Sequence, residues 1–324
     1  MVNLIYHYAS PKGIFDIFND EALHFTDCQY LNDKSEIIYI REPFEKAWFE
    51  TCRKHNIEFD VSDINYIIRS LIVAPYQFDE VDYDEVLKSI NKDFDDLVKK
   101  YTKTYRYYVF SCSKHKDASN MWNYFIKNGT YQGYNLGINS SFLEQKLIDL
   151  CNDSSEIEVL SNDVVYNYDE QVNMIINEMD EIIADKSGKL FEIFTTNEII
   201  PDAKIKFGIY KFINDHKLFY KNPAFENEKE YRFVLKINND YFINSNKDCS
   251  KPLKLEYRVG ASGIITPFVE WRFELLDEKQ QLFKEITLSP MIEPELAKES
   301  FNRFLSKKEY RNIAIEQSSI KLRF

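Results

Sequence analysis

Nine residues, Tyr105 to Ser113, constrain this chain more than any other stretch. The run Tyr-Arg-Tyr-Tyr-Val-Phe-Ser-Cys-Ser is aromatic, β-branched or small almost throughout, the composition of a buried strand. The rest of the chain must supply that strand with neighbours. Short strands are expected at 3–8, around His24-Phe25-Thr26, and at 131–138, 230–237, 253–258 and 262–266, with extended segments at 311–315 and 319–324. Helices are expected from Ser10-Pro11 to about Asn19, with serine as N-cap and proline at the first helical position. Further helices follow a turn at Asn32-Asp33 and cover 61–74, 83–102, 117–127, 168–200 and 294–307. In the last but one, Val172, Ile175, Ile176, Met179, Ile182 and Ile183 form an amphipathic stripe that reads as core. Helices and strands interleave irregularly, which predicts an α+β protein with a mixed or antiparallel central sheet and helical insertions. One domain over 1–324 is expected, with a largely helical insertion at about 140–215.

Composition narrows the function classes. The 324 residues carry a net charge of −12, so phosphate is repelled unless basic groups gather locally. Aromatic residues make up 15%, enough for a solid core. Five scattered cysteines without a CxxC or zinc-like spacing read as reduced thiols, and no apolar run spans a membrane. A cytoplasmic protein is expected. Neither a GxxxxGK[ST] loop, a GxGxxG after a strand, an HExxH nor a GxSxG occurs, which demotes the ATPase, dinucleotide-fold dehydrogenase, zinc-protease and hydrolase readings. No metal ligands are predicted.

Four constellations remain. In Tyr6-His7-Tyr8, strand alternation turns His7 away from the two tyrosines; it is either a satisfied strand histidine or one that bonds a sugar hydroxyl. Leu31-Asn32-Asp33-Lys34-Ser35-Glu36 reads as a cap or Asx-turn, with Asn32 and Asp33 as polar candidates. Ser111 and Ser113 share one face at a strand end, followed by Trp122 and Tyr124, which are core residues or a stacking wall. Last comes Glu228-Lys229-Glu230-Tyr231-Arg232. As a strand it places Glu228, Glu230 and Arg232 on one face, either a solvated edge or a carboxylate pair able to grip and activate a substrate.

In this order these pieces, together with Leu4-Ile5, Leu23-His24-Phe25-Thr26, Gly133 to Ile138, and Ser318-Ser319-Ile320 with Arg323, resemble the bacterial domain-of-unknown-function-2971 family over almost the whole chain. A second similarity, in motif order, is to ADP-ribosyltransferases, and it implies an ADP-ribosyltransferase-like fold with NAD as substrate. The resemblance implies that His7 seats the adenosine ribose, with Tyr8 beside it. Ser111 and Ser113 would support the pocket, Trp122 or Tyr124 would stack on nicotinamide, and Arg232 would steady its neighbouring carboxylate. Glu230 would stabilise the oxocarbenium-like transition state, and Glu228 would orient or deprotonate the acceptor.

The expected function is therefore an ADP-ribosyltransferase-like protein of bacterial conflict, a toxin or anti-phage effector that uses NAD to modify a macromolecule. The alternative is a non-catalytic module sensing a nucleotide or phage protein, partnered with another protein of a defence operon. A third reading, a metal-dependent nuclease, would draw on Glu228, Glu230 and Asp33.

Overall fold

In the computed structural model of the chain, the described residues are 3–31, 39–55, 105–125, 132–184, 212–245, 252–260, 263–273 and 275–321. The chain divides into two compact units: residues 1–30, 106–163 and 227–324, and residues 31–105 and 164–226. Along the chain run β1 (Leu4–Ala9), α1 (Pro11–Asp20), β2 (Ala22–Asp27), α2 (Arg41–His55), β3 (Tyr105–Ser113) and α3 (Ser119–Phe125). They are followed by β4 (Tyr134–Asn139), α4 (Ser140–Asp153), β5 (Ile157–Asp163), α5 (Tyr168–Ala184), β6 (Glu230–Asn238) and α6 (Asn239–Ser245). The last third holds β7 (Leu253–Val259), β8 (Ile265–Arg272), α7 (Leu276–Leu282), β9 (Phe283–Leu288), α8 (Pro294–Lys307) and β10 (Ala314–Gln317).

The local chemistry explains several of these boundaries. Ser10 caps α1 as its sequence predicts, its hydroxyl accepting from the Gly13 amide at 3.1 Å while Pro11 takes the first helical position. In β4, Gly137 is required by a close approach: a Cβ there would lie 2.5 Å from Cγ of Glu285 on β9. The β4–β9 register shifts between Gly137 and Ile138, the irregularity that glycine in a strand often marks.

The first unit is built on a ten-stranded sheet in the order β10-β9-β4-β1-β3-β2-β8-β7, with β6 paired to β3 and β5 paired to β6. β10 runs parallel to β9, while β1–β4, β2–β8, β5–β6 and β7–β8 are antiparallel, so the sheet is mixed and the fold is α+β. One face carries the core. Ile5, Phe25, Phe110, Leu136, Phe233 and Val269 meet there under Phe18 of α1, Leu147 of α4, Phe242 of α6 and Leu305 of α8. Each such side chain contributes about 1.5–3 kcal/mol by leaving water. On the other face Tyr8, Met121 and Trp122 form a smaller cluster, with Tyr6, Ala118 and Ile320 packed on it.

The second unit pairs α2 with α5. Gln171 on α5 donates to the carbonyls of Val165 and Lys221 and accepts from the Tyr39 hydroxyl. Asp180 receives Lys54 at 2.5 Å and His55 at 2.6 Å, and these partners hold its carboxyl below its usual value against a burial effect that raises it.

Some expected elements shift. The strand expected at 262–266 begins at Ile265 and runs to Arg272. β5 and β9 were not foreseen. Within the expected helical stretch at 140–215, the described residues give α4, then β5 laddered to β6, then α5. The expected helices at 61–74 and 83–102 and the Asn32-Asp33 turn lie outside the described residues.

Candidate functional site

β3 is the strand on which three others converge. Along an extended strand, successive residues turn their backbone groups to opposite edges. Tyr108 and Val109 pair with Asp27 and Thr26 of β2, and Ser113 pairs with Tyr6 of β1, so the two strands meet β3 on either side of Ser111 along its length. The amide of the following residue, Lys114, donates to the Lys229 carbonyl at 2.8 Å just before β6. Ser111 therefore lies in a fork between β2 and β1. Its carbonyl is met there not by a strand but by His7, whose Nδ1 lies 3.0 Å away.

That bond fixes the chemistry of the ring. A carbonyl can only accept, so Nδ1 carries the proton and Nε2 presents a lone pair. Burial pulls the pKa of His7 down to about 4, with Arg258 and His24 adding to the effect, so the imidazole is neutral at ordinary pH. The ring stacks on Phe110, centroids 4.6 Å apart. Among the described residues Nε2 has no hydrogen-bond partner. His7 is thus a hydrogen-bond acceptor held at a fixed angle in the fork.

The neighbouring strands carry a polar group on the other face of the sheet, alternating with Leu23, Phe25 and Val269 of the core. Thr26 accepts at 2.7 Å from Nη2 of Arg258 on β7, and the guanidinium lies 5.1 Å over the Phe268 ring on β8. His24 on β2 packs on Phe268 at 4.4 Å, with its Nε2 3.8 Å from Glu270. Burial lowers the His24 pKa, and Arg258 lowers it further. Glu270 is held instead by Nε of Arg272 at 2.5 Å.

The carboxylate segment takes a different form from the one expected. Lys229 adopts a left-handed conformation, φ 43°, between Glu228 and the start of β6. Strand alternation is broken there, so Glu228 does not share a strand face with Glu230 and Arg232. It ends a 3₁₀ turn, Pro223–Glu228, and its carbonyl accepts from the Ser113 hydroxyl at 2.7 Å. Glu230 and Arg232 do share a face, as expected. They form a two-pronged ion pair, Nε–Oε2 2.7 Å and Nη2–Oε1 3.0 Å, with Glu230 only 7% and Arg232 only 2% exposed. Tyr231 and Phe233 pack on the core, so Glu230 faces away from it, whereas His7 alternates with Ile5 and Ala9 on the core side. His7 and Glu230 therefore flank opposite edges of β3 and project to opposite faces.

The other expected contacts are structural. The Ser113 hydroxyl also accepts from the His115 amide. Tyr8 donates to the His115 carbonyl at 2.9 Å and accepts from the Ala118 amide, and burial pushes its pKa up to about 12. Trp122 is 1% exposed, edge-on to Tyr8, with its Nε1 donating to Asp117 at 2.7 Å. Its ring has no open face for a nicotinamide, which corrects the stacking role. Tyr124 lies on α3, but its side chain, like Asn32, Asp33 and Arg323, lies outside the described residues. Among the described residues no group of three or more His, Cys, Asp or Glu is placed to hold a metal ion.

Sequence reasoning did not single out Arg258, Phe268 or Glu270, and used His24 and Thr26 only as part of a family pattern. These residues lie on strands far apart in the chain, and no short motif marks them. The signal available was that 253–258 reads as a strand carrying an arginine in an acid-rich chain.

An α+β unit on a mixed sheet forked at β3 is the class of protein these features define. Within it, the model of the family described as "Protein of unknown function (DUF2971)" matches residues 121–233, which bears out the family resemblance read from the sequence. The matched segment is about a third of the chain and runs from the Trp122 helix to β6. No curated protein and no solved structure matches this chain. Among the described residues no helix is long and apolar enough to cross a membrane.

Proposed function

We propose that the chain is a nucleotide-recognising module of bacterial conflict, binding its ligand at the fork of β3 and acting by recognition rather than by group transfer. The observation that carries this reading is His7. Its Nδ1–H is spent on Ser111, so Nε2 is left as an oriented acceptor suited to a ribose hydroxyl. NAD, with two riboses, is one ligand of this class. A cytoplasmic setting and a macromolecular target or phage component that responds to the bound state follow from the same reading.

The transferase reading needs a carboxylate that faces the ribose as positive charge develops on it. Glu230 is engaged by Arg232 on the opposite face of the sheet, and Glu228 is displaced by the turn at Lys229. The nuclease reading draws on the same two carboxylates and meets the same obstacle.

Calorimetric titration with NAD, ADP-ribose and adenosine, accompanied by a nicotinamide-release assay, tests the proposal. Binding weakened at least tenfold by His7→Ala, unaffected by Glu230→Gln and unaccompanied by nicotinamide release is the expected outcome. Nicotinamide release that Glu230→Gln abolishes would restore the transferase and overturn this reading.

A further inference from the structure

β7 ends the sheet, and its outer edge has no strand beside it among the described residues. The hairpin to β8 shows which residues present their backbone to that edge. The Gly260 amide donates to the Ile264 carbonyl at 2.8 Å, opposite it in the ladder, so even-numbered residues of β7 bond to β8 and odd-numbered ones face outward. Pro267 agrees with this parity, since it has no N–H to give and lies opposite Tyr257. Burial then decides how much of the edge is open. Leu253 is fully enclosed and Leu255 half-buried, whereas Tyr257 and Val259 are 62% and 74% exposed. The open part therefore runs from Leu255 to Val259, with Tyr257 at its centre.

The side chains of this segment fit a second copy of itself. On the face where Leu253 and Leu255 join the core, Tyr257 and Val259 continue as an apolar strip, widened by Ile265 opposite Val259, itself 65% exposed. The other face carries Lys254, Glu256 and Arg258, alternating in sign. Charges on an edge strand ordinarily keep other strands away. Here their order favours one pairing. Two open segments laid antiparallel about Tyr257 set Glu256 of each copy against Arg258 of the other, with Leu255 facing Val259 and tyrosine facing tyrosine. Thr26 takes one nitrogen of Arg258, and the rest of the guanidinium is left for that carboxylate. Sliding one copy by two residues, the smallest shift that keeps outward groups opposite each other, sets Glu256 against Glu256 in one direction and Arg258 against Arg258 in the other; like charges directly opposite are destabilising. The centre found from burial is thus also the register the charges select. We infer that β7 is a self-association edge, at which a second copy of this chain adds its own β7 antiparallel across a two-fold axis at Tyr257 and the sheet continues through both copies. The inference is independent of any ligand at His7.

Sedimentation velocity of the full chain over a concentration series tests this. A single added strand pair is small beside the ~1,200–2,000 Å² of stable interfaces, so a monomer–dimer equilibrium that shifts with concentration is expected. Tyr257→Pro removes an outward N–H from each copy, a change that an edge strand tolerates, and should weaken the dimer at least tenfold. Glu256→Lys should do the same by placing lysine against arginine. Adding Arg258→Glu to Glu256→Lys should restore the dimer, since the same two pairs form with their signs exchanged. Thermal melting followed by circular dichroism shows whether each variant folds; should Tyr257→Pro melt early, the charge variants decide alone. A wild type that stays monomeric, by itself or with a strand of another protein on β7, overturns the inference. So does a dimer that Tyr257→Pro leaves intact, or a double variant that associates no better than Glu256→Lys.

Discussion

Replacing Glu230 by Gln separates a structural carboxylate from a catalytic one. The wild-type pair is two-pronged and nearly sealed from water, so Glu230 helps to hold the Arg232 charge in a low-dielectric site. Removing one member of a buried pair costs about 3–5 kcal/mol, because the other charge loses that partner in a site shielded from water. The glutamine carbonyl preserves one of the two bonds, which brings the expected loss to about 3 kcal/mol, since a bond to a charged group is worth about 1.5–3. Urea denaturation followed by tryptophan fluorescence reads this directly. With a slope of about 1–3 kcal/mol per molar, the midpoint should fall by about 1–3 M. Exchanging both partners, Glu230→Leu with Arg232→Met, should recover most of the loss, because apolar packing replaces a pair whose desolvation was expensive. An unchanged midpoint for Glu230→Gln, or a double variant weaker than the single, would refute the assignment of Glu230 to holding β6.

Three further outcomes follow from the geometry. His7 should stay in its Nδ1–H neutral form down to about pH 5, seen by nitrogen NMR. Because its folded pKa is below the unfolded value, its contribution is complete above about 6.5 and is lost as pH falls toward 4, so His7→Gln should flatten part of the acid-side decline in stability. Burial raises the pKa of Asp117, but bonds from Trp122, Ser318 and both the amide and hydroxyl of Ser319 outweigh it and hold the carboxyl low. Asp117→Asn should cost about 2 kcal/mol and speed hydrogen exchange at Ser318–Ile320, since an amide cannot accept from all four donors. Gly137→Ala should destabilise by about 1–3 kcal/mol on thermal denaturation, because the new Cβ meets Glu285, whose carboxylate is anchored by Lys116.

Much of the architecture was legible because it rests on local chemistry. The Ser10-Pro11 cap, the aromatic run of β3 and the stripe that begins α5 are written in neighbouring residues. β5 was missed because Ile157-Glu-Val-Leu-Ser-Asn-Asp163 alternates weakly and is made a strand by its ladder to β6. The face shared by Glu230 and Arg232 was read correctly, but Glu228 was not, because nothing in the residue type of Lys229 announces a left-handed backbone. The free Nε2 of His7 could not be read at all. It depends on a carbonyl a hundred residues away that two strands leave between them. Arg258 was hidden for the same reason, since its meaning comes from Thr26 and Phe268 on other strands.

The pairing of β2 with β8 has a consequence for how the chain is made. Ala22 to Thr26 find their partners in Phe268 to Arg272, about 250 residues later. At a synthesis rate of about 5–20 residues per second, tens of seconds pass before the partner leaves the ribosome. Throughout that interval Leu23 and Phe25, which finish fully enclosed, have half of their sheet missing. A nascent chain halted anywhere before β8 therefore carries a sticky, unfinished sheet. Such a topology favours late, all-at-once closure over folding from the first residues onward, and gives chaperones a long window in which to hold the emerging strand.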